Sequence, residues 1–153
     1  MTLGMWIIAA IVVVVVLVAA IALLSKKKQA KLQVAEAYNL ARRALDEIDF
    51  NRRELAHPTK TTTLALKLET IETLLTSPVF AEIASTKAFQ TLRAYRDFAH
   101  ALGRSAMVQR TDTGEPLVMS RLLSEEGGRE KYERLSQDAE GTLRNVFESR
   151  DND

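Results

Sequence analysis

Residues 5–24 read MWIIAAIVVVVVLVAAIALL, and Ser25-Lys26-Lys27-Lys28 follows at once. The run from Met5 to Leu24 contains no charge, no proline and no glycine. A helix rises about 1.5 Å per residue, so these residues match the roughly 30 Å hydrocarbon core of a bilayer. A helix is also the one single-segment structure that satisfies its backbone groups inside lipid. The expectation is a transmembrane helix bounded by Met5 and Leu24. Positive flanks stay on the cytoplasmic side, and Lys26, Lys27 and Lys28 lie after the span. The N-terminus is therefore expected outside the cell (inner) membrane, with the rest of the chain in the cytoplasm and Trp6 at the outer interface. A cleaved signal peptide fits less well, although Ala20-Ile21-Ala22 has the form of a cleavage site. Met1-Thr2-Leu3-Gly4 lacks a basic side chain, and the apolar run exceeds the usual 7–15 residues or so.

Charge is unevenly spread along the 153 residues. Residues 26–110 hold 15 Lys/Arg against 9 Asp/Glu, whereas residues 111–153 hold 6 against 11. The basic part adjoins the expected membrane, where anionic headgroups would favour it. The simplest account of Lys26, Lys27, Lys28 and Lys31 is a stop-transfer flank. No cysteine is present, which removes disulfides, thiolate chemistry and cysteine-based zinc sites. Small residues in the apolar run lack the small-xxx-small spacing of tight helix association, so the span reads as a plain anchor.

No helix breaker separates Leu24 from Leu55, so the span is expected to continue into a juxtamembrane helix over 25–56. Val34, Tyr38, Ala41, Leu45, Ile48, Arg52 and Leu55 recur at alternating spacings of four and three, which is one helical face. Arg42, Arg43, Asp46, Glu47, Asp49 and Arg53 occupy the opposite, solvated face. Phe50 falls among these charges. His57-Pro58 ends the helix. Leu64, Leu68, Ile71 and Leu75 predict a second helix capped by Thr59 or Thr61, and Phe80 to Leu102 a third, opened by Ser77-Pro78 and closed by Gly103. Residues 104–119, with Thr111-Asp112-Thr113-Gly114-Glu115 at their centre, read as a loop or a short β-hairpin. Ser120 is expected to cap a brief turn that Gly127-Gly128 breaks, and the last helix runs from about Arg129 to Ser149. The predicted fold class is all-α: residues 1–4 outside, a span at 5–24, and a cytoplasmic bundle of three to four amphipathic helices through residue 150. Residues 151–153 are expected to fray.

No stretch carries a catalytic or cofactor signature. Gly127-Gly128 follows no strand and lacks the phosphate-loop pattern. His57 and His100 have no carboxylate at helical ligand spacing, so no metal site is expected. Arg93, Arg96 and Arg104 alternate with aromatics as on any amphipathic helix, and no nucleic-acid or small-molecule partner is expected. In layout the chain is similar to LemA-type bacterial membrane proteins, which combine an outside N-terminus with a cytoplasmic helical bundle. Leu45-Asp46-Glu47-Ile48-Asp49 is the only local echo, the residues after Asp49 depart from the pattern, and no family is assigned. The expected role is a non-enzymatic interaction or scaffold protein that holds a partner, or its own oligomer, at the bilayer. Phe50, Met107, Val108, Leu117 and Met119 are the candidate contacts, together with the acidic last helix. The alternative is an accessory subunit of a larger membrane complex. A membrane-disrupting lysis protein is a third reading, but it needs no folded domain.

Overall fold

The computed structural model describes residues 3–58 and 63–148, with side chains for 18, 20–58 and 63–148. The fold is mostly helical with one small sheet. Helix α1 runs Leu3–Ala56, α2 Glu69–Thr76, α3 Pro78–Ile83 and α4 Thr86–Arg104. Strands β1 (Ala106–Arg110) and β2 (Pro116–Ser120) follow, then α5 (Arg121–Ser124) and α6 (Gly128–Glu148). The chain forms two compact units, Met1–Glu36 and Ala37–Asp153. Among the described residues, no helix is long and apolar enough to cross a membrane. The expected span, with Met5 and Trp6, falls mostly on side chains outside the described residues, as does the expected tail at 151–153.

In the second unit, alanines set the packing distance. Ala37, Ala41, Ala44, Ile48 and Asn51 form the buried line of α1, while Tyr38, Leu45 and Leu55 are half-buried beside it. The buried line keeps Ala41 and Ile48 of the expected stripe and has Ala37, Ala44 and Asn51 in place of Tyr38, Leu45 and Arg52. Helices approach closely where side chains are small, and the bulkier ones then wrap the flanks of the contact. Ile71 and Leu74 of α2, Phe80 of α3, Leu92, Tyr95, Ala99 and Leu102 of α4, and Tyr132, Ala139, Leu143 and Val146 of α6 complete one core.

Two expected helices are shorter than their patterns. Residues 64–68 are not helical, and α2 begins only at Glu69. Phe80 to Leu102 is broken at Ala84-Ser85, where Ser85 accepts a hydrogen bond from the Ala88 amide at 3.1 Å and caps α4. Ser77 does the same for α3 through the Phe80 amide. The hydroxyl caps compete with helix continuation, and here they win.

Residues 106–120 form an antiparallel hairpin, with Ala106 opposite Ser120 and Arg110 opposite Pro116. Gly114 adopts φ +83°, and the Thr111 amide donates to the Glu115 carbonyl at 2.9 Å. An isolated two-stranded hairpin is marginal in water. This one is docked: Val118 and Ser120 are buried, and the Ser120 and Ser105 hydroxyls lie 2.6 Å apart. That pairing leaves Ser120 without a capping bond to α5.

Candidate interaction surfaces

Glu47, Asn51 and Glu54 stand at spacings of four and three along α1, one helical face. They hold the backbone of residues 65–71. Glu54 accepts from the Ala65 amide at 3.1 Å. Asn51 accepts from the Lys67 amide and donates to the Lys67 carbonyl, both at 2.7 Å. The Glu47 carboxylate accepts from the Thr70 amide at 2.9 Å and the Thr70 hydroxyl at 2.7 Å, and reaches the Ile71 amide at 3.3 Å. These are first-turn amides of α2, so Glu47 caps that helix from a different helix and meets the positive end of its dipole. A peptide segment held at both its N–H and C=O groups by side chains has no need of its own helical bonds. That is why the leucine pattern at 64–68 does not become helix.

The same line leads into the bundle. Asn51 Nδ2 lies 3.1 Å from the Tyr95 hydroxyl, and the Tyr95 and Tyr132 rings are 6.2 Å apart. Burial, reinforced by Tyr132, pushes the Tyr95 phenol well above its ordinary value, and burial likewise raises Tyr132. Both stay neutral across the physiological range. Next to them Arg52 gathers three carboxylates: Asp49 at 3.3 Å, Glu140 at 3.4 Å and Glu133 at 3.6 Å. The arginine that interrupts the apolar stripe is therefore an ionic link from α1 to α6. Among the described residues, no group of three or more His, Asp or Glu could hold a metal ion.

No known protein family, curated protein or solved structure matches this chain.

The structure divides the candidate contacts. Phe50 is half-buried, and the Lys67 ammonium sits 4.2 Å from its ring centroid. It has a partner within the fold. Met107 and Met119 are paired across the hairpin and half-buried, whereas Val108 is 50% exposed and Leu117 is 41% exposed. Leu117 and Met119 also line a groove of about 350 Å³ with Leu55, Leu64, Leu123 and Arg129. A more polar groove of about 610 Å³ lies between α4 and α6, lined by Ser85, Lys87, Thr91, Gln137, Asp138 and Asn145 among others. Leu24, Lys26, Lys27 and Lys28 are all exposed on α1.

Sequence reading misses the Glu47–Asn51–Glu54 line, although its signal is present. Three polar side chains repeat at core spacing beside an apolar stripe, which on a bundle helix indicates buried polar work. The charge pattern instead puts Glu47 on the solvated face with Arg43.

Proposed function

We propose that the chain is a single-pass, membrane-anchored helical interaction protein that acts by binding and not by catalysis. Met5–Leu24 anchors it in the cell (inner) membrane, and the unit beginning at Ala37 presents its surfaces on the cytoplasmic side. One observation carries the reading. Val18, Ile21, Leu23 and Leu24 are each more than 60% exposed on a helix, immediately before the lysines. Water does not leave such a run of large apolar side chains uncovered without cost, since each gains about 1.5–3 kcal/mol on burial. They fall at azimuths all around the helix, which suits a surrounding lipid medium better than a one-sided protein contact. Val108 and Leu117, exposed on opposite faces of the hairpin, are the apolar side chains offered to a protein partner.

The test is extraction of the full chain from membranes at alkaline pH, followed by replacement of Met5–Leu24 with an unrelated apolar span. Retention in the pellet, with partner binding unchanged after the swap, is the expected outcome. Release into the supernatant would refute the anchor. Retention with loss of assembly after the swap would favour the accessory-subunit reading.

A further inference from the structure

The span ends in an unusually unopposed group of cations. Lys26, Lys27, Lys28 and Lys31 are all exposed, and no Asp or Glu occurs in the sequence before Glu36. Among the described residues, none of the four makes an ion pair, whereas Arg52, Arg96, Arg121 and Arg144 all do. Helical geometry fixes where these charges lie. Lys26 to Lys31 covers about 7.5 Å along the axis, and the four side chains spread over roughly 200° of azimuth. The headgroup layer of a bilayer is about 5–8 Å thick on each side. With Leu24 at the hydrocarbon boundary, Lys26, Lys27 and Lys28 lie about 3–6 Å beyond it, within that layer, and Lys31 lies about 10.5 Å beyond it, where its long side chain reaches back to the layer's outer edge.

We propose that these four lysines form a collar that selects anionic phospholipid headgroups around the protein. The proposal rests on Met5–Leu24 being a membrane span, and it goes beyond a stop-transfer role. Stop-transfer needs positive charge on one side, whereas a collar without internal acidic partners also keeps a standing demand for lipid phosphate and carboxylate groups. Each lysine near an anionic surface favours it by about fivefold, the equivalent of ~1 kcal/mol. The attraction is screened by salt, because the Debye length falls from about 10 Å at 0.1 M to about 3 Å at 1 M.

The test uses the full chain with Ser25→Cys, the only thiol in the protein, carrying a donor fluorophore. It is reconstituted in phosphatidylcholine vesicles containing trace acceptor-labelled phosphatidylserine or, separately, acceptor-labelled phosphatidylcholine. Alkaline extraction of the vesicles comes first. A protein that is released overturns both the span and the collar. For a retained protein, energy transfer should report phosphatidylserine enriched over phosphatidylcholine about fivefold or more at about 0.1 M salt. Enrichment should fall to unity in the Lys26→Gln, Lys27→Gln, Lys28→Gln, Lys31→Gln variant. Equal transfer to both lipids in a retained protein would overturn the collar alone. Loss of the enrichment on adding inorganic phosphate, but not chloride at the same ionic strength, would reassign the lysines to a free-phosphate site and also overturn it.

Discussion

Replacing Asn51 with alanine tests how the second unit is held together. Asn51 is fully buried and makes three hydrogen bonds, two to Lys67 and one to Tyr95. The substitution leaves the Lys67 amide and carbonyl to find water, which they can do in part because Lys67 lies at the surface. Net losses for such bonds are about 1 kcal/mol each. The Tyr95 hydroxyl, in a residue only 1% exposed, loses the donor it faces, at about 1–2 kcal/mol. Together with a small cavity, the total is about 3–4 kcal/mol, a large share of the 5–15 kcal/mol or so that a domain commands. At roughly 4 °C per kcal/mol for this size, the thermal midpoint should fall by about 12–16 °C. Near-UV circular dichroism of the full chain in mild detergent would follow the buried tyrosines through the transition. Amide hydrogen exchange at Ala65, Lys67 and Thr70 should accelerate together. Tyr95→Phe, which keeps both Lys67 bonds, should cost about 1 kcal/mol. A loss below about 1 kcal/mol for Asn51→Ala, with unchanged exchange at Lys67, would refute the reasoning.

Gly128→Ala should be among the most damaging single substitutions, because an added Cβ would meet the Leu122 carbonyl oxygen at 1.8 Å. A loss of about 3 kcal/mol or more in the same thermal melt is expected. Gly141→Ala should do the opposite. No atom lies within 4 Å of its added Cβ, and alanine in a helix interior gains about 1 kcal/mol over glycine. The Arg144 hydrogen bond, assisted by Arg52, holds the Glu140 carboxyl below its ordinary value near 4.5. Its contribution is therefore present above that value and is lost as pH falls through the lower, folded-state value. Glu140→Gln should flatten that part of the acid limb in melts taken between about pH 5 and pH 3.

Helix α1 shows what periodicity can and cannot reveal. The apolar pattern to Leu55, the proline stop and the small loops point to a helical bundle, because burial of one helical face leaves a direct mark on residue order. Ala37, Ala41 and Ala44 are easily under-weighted for their size, although small residues mark the closest approach of helices. The non-helical course of 64–68 is not visible in its own residues. It is imposed by Asn51 and Glu54, which lie more than ten positions earlier in the chain. The hairpin can be suspected from Gly114 and its neighbours, but its stability depends on Val118 and Ser120 docking against other elements. Among the candidate contacts, Val108 and Leu117 remain outward. Phe50, out of place among charges in the sequence, has its charge-bearing partner in Lys67.

The proposed cytoplasmic placement of the domain rests on the proposed span at Met5–Leu24 and its direction, and a chain without native cysteine allows a direct measurement. Thr2→Cys and Ser149→Cys variants would be exposed separately to a membrane-impermeant thiol reagent in intact cells. Labelling at position 2, with position 149 reacting only after the membrane is opened, is the predicted result. Labelling at position 149 in intact cells would place the helical domain on the other side and contradict the account.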